Sequence, residues 1–222
     1  MRIPSQTASQ KMALIPRRPQ RQRGRDRVAA LLAAGATVFA EKGYDAATMT
    51  EIAARAGASI GSLYQFFPTK ELLAEALHAA NGEALAQMLD ALTQETRKPN
   101  KTGPNQAGPN QAGPSAAVLA DRLFDGLTTF LADHPSFVVL AERRDPDSTR
   151  KRELRQRLRG QIAAFLAQAE PPVPPQRAEV MAVVILHLLK AAIIVSGETD
   201  LAIGRTVVDE MRAMLRNHLS EG

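Results

Sequence analysis

Residues 48–70, TMTEIAARAGASIGSLYQFFPTK, predict two short helices joined by a tight turn. Thr48 and Glu51 have the spacing of a capping box, in which each side chain accepts a hydrogen bond from a backbone amide at the helix start. Gly57 follows soon after and can adopt the left-handed conformation that ends a helix. Ser59 can cap a second helix, which Pro68 closes. This order of elements is typical of a helix-turn-helix.

The second of these helices is predicted to have one apolar face and one open face. On a helical wheel, the apolar face is formed by Leu63, Phe66 and Phe67. The opposite face is formed by Gly61, Tyr64 and Gln65, with Ile60 and Ser62 on the flanks. A helix that is packed on one side and exposed on the other can enter the major groove of DNA.

Helical periodicity continues on both sides of this motif. Upstream, apolar residues recur at helical spacing from residue 27 to Phe39, and Gly43 predicts a stop. Downstream, Thr69 can cap a long helix, and further apolar helices follow in the second half. Alternating strand patterns do not occur. The chain is therefore predicted to be all-α, with a three-helix DNA-binding domain at 26–68 and a second helical domain at 69–222.

The excess positive charge lies in the first 25 residues. They carry seven of the 28 Lys and Arg and none of the 23 Asp and Glu, so the remainder has a balance of −2. Three prolines disfavour helix there, and apolar residues are sparse. We predict a disordered basic arm at 1–25, which favours a polyanion partner. A merely solubilising tail is the alternative.

Several classes of function lack support in the sequence. Cysteine is absent, the four histidines lack metal-ligand spacing, and no phosphate loop, nucleophile elbow or paired carboxylates are recognisable. We therefore expect no enzymatic activity, no cofactor and no bound metal. The sequence shows no apolar signal-peptide core after the basic arm, so we expect a cytoplasmic protein.

The nearly apolar stretch at 180–195 is short for a membrane span and contains His187 and Lys190. We expect it to lie buried between other helices rather than in a membrane. It belongs to a helix at about 176–195, which is followed by another at about 200–219. Two such helices from each of two chains would form a four-helix dimer interface.

Two segments of the second domain have composition that favours a solvated surface. Residues 97–115 contain a tandem Gly-Pro-Asn-Gln-Ala repeat, which predicts a flexible loop. Residues 143–159 carry a run of arginines and lysines that fall mostly off the apolar face of a helix. For this run we favour a solvated surface over a site for an anionic ligand or a second site for DNA.

Residues 27–77 resemble the tetracycline-repressor (TetR/AcrR-like) family. The resemblance rests on Phe-Ala-Glu-Lys-Gly-Tyr at 39–44, on residues 48–58, and on Leu-Tyr-Gln-Phe-Phe-Pro-Thr-Lys-Glu-Leu-Leu at 63–73. It implies an all-helical dimer that binds a double-stranded DNA operator through three N-terminal helices. It also implies a C-terminal domain for ligand binding and dimerisation. The repeat after the fourth helix departs from the compact connection usual in this family.

Roles can be proposed for the DNA-facing residues. Hydroxyls of Thr48, Thr50, Ser59 and Ser62 suit phosphate, although Thr48 and Ser59 can equally act only as helix caps. Gly61 permits close approach, Ile60 can contact a thymine methyl, and Gln65 can pair with an adenine edge. By resemblance, Tyr64 and Lys70 are phosphate ligands; packed or solvated side chains are the alternatives. The arm residues proposed to enter a minor groove are Arg21, Arg23 and Arg25.

A small, largely apolar effector is expected to bind in the second domain. The candidate contacts are Phe124, Phe130, Phe137, Phe165 and His187, although a core or interface role is favoured for the histidine. Two other classes of function remain open. One is an architectural or partner-regulated DNA-binding protein whose second domain packs solid. The other is an enzyme or lipid-binding protein with a vestigial helix-turn-helix, which would give no sequence-specific footprint.

Overall fold

The computed structural model describes residues 20–97, 113–141, 149–197 and 204–220, and these ranges contain nine helices and no strand. The prediction of an all-α chain is confirmed. The helices are α1 (Gln20–Ala46), α2 (Met49–Arg55), α3 (Ile60–Phe66), α4 (Lys70–Arg97), α5 (Ala116–Asp133), α6 (Pro135–Ala141), α7 (Thr149–Leu166), α8 (Pro175–Gly197) and α9 (Gly204–Ser220).

The first core lies between α1, α2, α3 and the start of α4. Phe39, Ile52, Leu63 and Leu73 are fully enclosed there, one from each helix. Burying each of these side chains contributes about 1.5–3 kcal/mol. Leu140 of α6 belongs to the same core, although it is far away in sequence. The DNA-binding domain is therefore completed by a residue of the second domain.

The second core lies between α4, α5, α7, α8 and α9. Its enclosed side chains include Leu89, Phe124, Ile162, Phe165 and Ile185. Because α4 contributes to both cores, it is a continuous rod between the two domains. A displacement of its C-terminal half can therefore be transmitted to the helix-turn-helix.

The predicted basic arm is too long at its C-terminal end. Helix α1 begins at Gln20, so Arg23 and Arg25 lie on its first turns with exposed side chains. The last proline of the arm is Pro19. Because proline disrupts the interior of a helix but not its start, an unbroken helix can begin directly after Pro19. The side chain of Arg21 and all of residues 1–19 lie outside the described residues, as does most of the predicted loop at 97–115.

Helix α8 is buried along one side only. Ala182, Ile185 and Leu189 are enclosed, whereas Val180 and Val184 are exposed. In the described part of the chain, no helix is long and apolar enough to cross a membrane. The expectation of a fully covered helix is therefore met on one face, and the opposite face is left without a partner in the single chain.

Candidate nucleic-acid interface and ligand cavity

The turn between α2 and α3 is built as its sequence predicts. The Thr48 hydroxyl accepts from the Glu51 amide at 3.3 Å, and the Glu51 carboxylate accepts from the Thr48 amide at 3.2 Å. Gly57 has φ +60°, a conformation that side chains with a Cβ rarely adopt. The Ala58 amide then donates to the Ala53 carbonyl at 2.9 Å, which closes the end of α2. These contacts fix the angle at which α3 leaves the turn.

Helix α3 presents an open face. Leu63 is fully enclosed, whereas Tyr64 is 47% exposed and Gln65 is also exposed. No atom of the described residues lies within 4 Å of the position that a Cβ on Gly61 would occupy. Ile60 is exposed and Ser62 partly so. The predicted orientation of this face is confirmed, and it is wide enough for the backbone of α3 to approach a DNA groove closely.

Phe66 departs from the predicted packing. It was placed on the apolar face, but its side chain is 39% exposed, and Phe67 alone continues the buried side after Leu63. The reason is that α3 ends at Phe66, and Phe67 has extended φ and ψ of −132° and 90°. Phe67 therefore reaches the first core from outside the helix, whereas Phe66, the last helical residue, stays largely exposed.

The proposed phosphate-binding hydroxyls differ in how many hydrogen bonds they already form within the protein. The Thr48 hydroxyl both accepts from the Glu51 amide and donates to the Glu51 carboxylate at 2.9 Å, so it acts as a cap. The Ser59 hydroxyl accepts from the Ser62 amide at 3.1 Å and retains its own proton for a phosphate oxygen. Thr50 is exposed on α2. Of these positions, Thr50 and Ser59 remain suited to a phosphate.

Two ion pairs compensate the carboxylates near this surface. Arg55 donates to Glu41 at 2.6 Å, and Lys42 donates to Glu51. The hydrogen bond from Arg55 lowers the pKa of Glu41, and those from Lys42 and Thr48 lower the pKa of Glu51. Both carboxylates are therefore ionised at neutral pH, but each has a cation beside it. A polyanion approaching α3 consequently meets little net repulsion from them.

Lys70, which is predicted to anchor a phosphate, contacts backbone carbonyls in the DNA-free chain. Its ammonium group donates to the carbonyls of Tyr44, Asp45 and Ala47 at 2.9, 3.1 and 3.0 Å. It also lies 4.5 Å from the centroid of the Tyr44 ring. An ammonium has three protons, and all three are directed at carbonyls. Lys70, at the start of α4, therefore connects that helix to the end of α1 through these hydrogen bonds.

Replacing Lys70 by methionine is expected to lower the free energy of unfolding by about 2 kcal/mol, because three carbonyls lose a charged donor. The slope of log binding constant against log salt concentration should stay unchanged. A lost phosphate contact would instead reduce that slope by about 1 per subunit. Urea unfolding and salt-dependent DNA titration of the same variant separate the two roles. A reduced slope with unchanged stability would restore the phosphate role.

A cavity of about 240 Å³ lies in the second domain between α4, α5, α6, α7 and α8. Its apolar floor includes the buried side chains Leu85, Leu127, Leu158 and Leu189. Two of the five predicted contacts, Phe137 and His187, line it. Partly buried apolar side chains and four cations complete the lining, among them Leu154, Leu186, Lys151, Arg155, Arg159 and Lys190.

The other three predicted contacts do not line this cavity. Phe124 and Phe165 are enclosed in the second core, with 1% and 0% of their surface exposed. Phe130 packs edge-on against Phe137 and lines a separate surface groove beside Met88 and Leu92. Composition identifies large apolar side chains, but it does not distinguish those that fill a core from those that border a void.

Part of the basic run at 143–159 borders the cavity. Lys151, Arg155 and Arg159 recur every four residues on α7, and this spacing places them on one side of the helix. That side borders the cavity. The first part of the basic run, residues 143–148, lies outside the described residues. Arg155 and Arg159 are exposed, in agreement with the predicted solvated surface, but together with the partly buried Lys151 they also line a concave site.

His78 is a cavity residue that the sequence did not single out. It lies on α4 with 8% of its surface exposed, and its ring stacks on Phe137 at a centroid distance of 4.9 Å. Burial, together with the positive charges of Lys151 and Arg155, lowers the pKa of His78 from 6.5 to about 4. Its apolar neighbours along α4 would have predicted an inward position, but not a neutral ring at mildly acidic pH.

Acid should therefore destabilise the protein through His78. Unfolded, this histidine takes up a proton near pH 6.5, whereas folded it resists protonation until about pH 4. Its contribution to stability is present above pH 6.5 and is lost as the pH falls towards 4, by up to about 3 kcal/mol. His78→Phe keeps the ring stack and removes the titration. The wild-type protein should lose more stability than this variant in denaturant unfolding across that interval; parallel losses would contradict the assignment.

Two family profiles match the chain. Residues 31–77 match the profile described as bacterial regulatory proteins, tetR family, and residues 116–219 match the profile described as tetracyclin repressor-like, C-terminal domain. The first contains the helix-turn-helix and its open face, and the second contains most of the cavity. No curated protein sequence has a significant match.

Solved structures share the fold at low sequence identity. A TetR-like transcriptional regulator from Rhodococcus sp. RHA1 is 20% identical, with a TM-score of 0.60 over 93% of this chain and 98% of that chain. A TetR-family regulator from Streptomyces coelicolor is 22% identical, with a TM-score of 0.57 over 88% and 98%. FadR from Bacillus subtilis, crystallised with stearoyl-CoA, is 16% identical, with a TM-score of 0.57 over 82% and 96%.

These likenesses cover both domains, and the profile matches fall on the helices that build the two sites. Members of the matched family are DNA-binding transcriptional regulators rather than enzymes. On its helix-turn-helix, its second helical domain and both profile matches, this chain belongs to the TetR family of bacterial transcriptional regulators.

Proposed function

We propose that this regulator is a ligand-responsive repressor that binds a pseudo-palindromic operator as a homodimer. The observation that carries the proposal is the open face of α3, where Gly61, Tyr64 and Gln65 face solvent while Leu63 anchors the helix from behind. This face is neutral and rich in hydrogen-bonding groups, which suits base edges. Arg23 and Arg25 on α1 add exposed positive charge that suits phosphates or a minor groove.

The exposed side of α8, with support from α9, is the proposed dimer interface. Val180, Val184, His187, Leu188 and Ile194 recur at helical spacing, and Val183, Val184, His187 and Leu188 line a shallow surface groove. Val180 is 57% exposed and Ile194 is 43% exposed in the single chain. An apolar stripe of this length is costly to leave in water. A second copy of the same stripe, related by a two-fold axis, would cover it.

Helix α6 provides a route from the cavity to the DNA-binding domain. Phe137, Val138 and Ala141 line the cavity, whereas Leu140 of the same helix is packed in the first core. The Asn81 side chain of α4 donates to the Ser136 hydroxyl at 3.3 Å in a buried contact. A ligand that displaces α6 or α4 would therefore move the helix-turn-helix. We propose that bound effector favours a dimer whose two α3 helices no longer match operator spacing.

The cavity supports ligand responsiveness against the alternative of a solid second domain. A protein regulated only by partners needs no internal void, and natural cores pack densely. FadR, a neighbour in fold, was crystallised with stearoyl-CoA. We infer that the cavity beside α6 is the effector site of this chain, with Phe137 and His187 among its contacts.

Selection of duplexes from a random DNA pool with the purified protein tests the proposed function. We expect enrichment of an inverted repeat whose half-site centres are about 10 base pairs, or a multiple of that, apart. The bound complex should contain an even number of chains when its mass is measured. Enrichment of unrelated sequences, or of a single asymmetric site held by one chain, would refute the homodimeric repressor.

A further inference from the structure

The cavity beside α6 combines an apolar floor with a lining of a single charge sign. Leu85, Leu127 and Leu158 form buried parts of the floor, and Arg155 and Arg159 are the exposed cations beside it on α7. Among the described residues that line the cavity, none is an aspartate or glutamate. Such a site is suited to a molecule with an apolar body and an anionic head.

Arg155 and Arg159 provide the electrostatic basis of the inference because both are exposed and neither has an ion-pair partner among the described residues. Within the described ranges, neither guanidinium forms an ion pair or a side-chain hydrogen bond. Arg157, between them in sequence, is paired with Glu83 at 2.6 Å and points away from the cavity lining. On α7, Arg157 is therefore neutralised by Glu83, whereas Arg155 and Arg159, on the cavity side, are available to a ligand. Bidentate binding of carboxylate or phosphate is the typical use of such a group.

His78 provides a second, independent indication. Its Nδ1 atom is enclosed and has no hydrogen-bond partner among the described residues, although the ring is nine-tenths buried against the cavity. Buried polar atoms are normally paired, and an unpaired one often marks a site that a ligand completes. The low pKa of His78 arises first from burial and then from the positive charges of Lys151 and Arg155, so the field around the ring is positive.

The size of the cavity limits the ligand. At about 240 Å³, it lies just below the range of about 300–1,000 Å³ that is usual for small-molecule sites. The cavity therefore suits a small organic ligand. The anionic head of the ligand would lie beside the exposed guanidinium groups of Arg155 and Arg159.

We propose that the effector is a small amphipathic organic anion, whose apolar body occupies the cavity and whose carboxylate or phosphate head binds Arg155 and Arg159. This inference rests on the proposed function for the location of the effector site. It differs from the sequence-based expectation of a largely apolar effector, because the cation-bearing side of α7 faces the cavity.

Four probes that share one alkyl chain test the charge requirement. Octanoate, octyl phosphate, 1-octanol and octylammonium are titrated calorimetrically into the DNA-free protein at neutral pH. We expect at least one of the two anions to bind at least about tenfold more tightly than the alcohol and the ammonium. Equal binding of the alcohol or the ammonium, or binding of neither anion, would overturn the proposal.

Variants locate the head group. Arg155→Gln and Arg159→Gln should each weaken binding of the preferred anion about tenfold and leave 1-octanol unaffected. Arg152→Gln is the matched control, because Arg152 is exposed on the same helix and does not line the cavity. An unchanged anion affinity in both cavity variants, or an equal loss in the control, would contradict the assigned head-group site.

The outcome separates this inference from the proposed function, because ligand binding is measured without DNA. Selective anion binding that leaves a protein–operator complex intact would support the ligand class and contradict the effector role. Operator binding by a dimer that ignores both anions would support the DNA-binding function and overturn the ligand class alone.

Discussion

Replacing Gly61 by glutamate is expected to weaken operator binding by at least about a thousandfold without unfolding the protein. A side chain at this position meets nothing within 4 Å, so the fold should accept it. Helix propensity favours glutamate over glycine at an exposed helical site. On DNA the same side chain would occupy the space that the groove requires and bring a negative charge towards the phosphates. A two-fold dimer would incur this cost at both half-sites.

Gly160→Glu is the matched control for this prediction. Gly160 is also an exposed helical glycine with nothing within 4 Å of its would-be Cβ, but it lies on α7 in the second domain. Both variants change the charge of the chain equally. Fluorescence anisotropy with the selected duplex should show normal affinity for Gly160→Glu and loss for Gly61→Glu, with equal melting temperatures. A similar affinity in the two variants would mean that α3 does not enter the groove.

Replacing Val184 by glutamate should separate the dimer and thereby abolish high-affinity operator binding. Val184 is 39% exposed in the single chain, so a charged side chain there is tolerated by the folded monomer. In a symmetric α8–α9 interface it would be buried without a partner in both subunits. We expect the dimer dissociation constant to rise by at least about a hundredfold, as measured by analytical ultracentrifugation.

Val118→Glu supplies the control for the interface. Val118 is 42% exposed near the start of α5 and does not line the shallow groove on α8. The two variants introduce the same charge at valines of similar exposure. A dimer that persists in Val184→Glu, or dissociates equally in Val118→Glu, would place the subunit contact elsewhere on the molecule.

The helix-turn-helix could be predicted from sequence because its determinants are local. The Thr48–Glu51 capping box and the positive φ of Gly57 each depend on a few neighbouring residues, and the structure confirms both. The kink at Gly43, with φ +75°, follows for the same reason. The exposure of Gly61 and Tyr64 follows from helical periodicity once the helix is bounded correctly.

The sequence was least informative where distant parts of the chain meet. Lys70 binds carbonyls that lie more than twenty residues earlier, so its own neighbours could not reveal that role. The cavity is formed by helices from opposite ends of the second domain. Hence Phe124 and Phe165 were assigned to it although they fill the core, and Arg155 and His78 were not. Sequence periodicity indicates which side of a helix is buried, but not against what.

Chemical protection of the major groove tests most directly whether α3 binds there. Dimethyl sulfate methylates guanine N7 in the major groove and adenine N3 in the minor groove, so one reagent distinguishes the two modes of contact. On the selected duplex, the wild-type protein should protect guanine N7 atoms in two clusters about 10 base pairs apart, or a multiple of that. Gly61→Glu should remove both clusters at the same protein concentration. Protection confined to adenine N3, or major-groove protection that persists in Gly61→Glu, would contradict the placement of α3 in the groove.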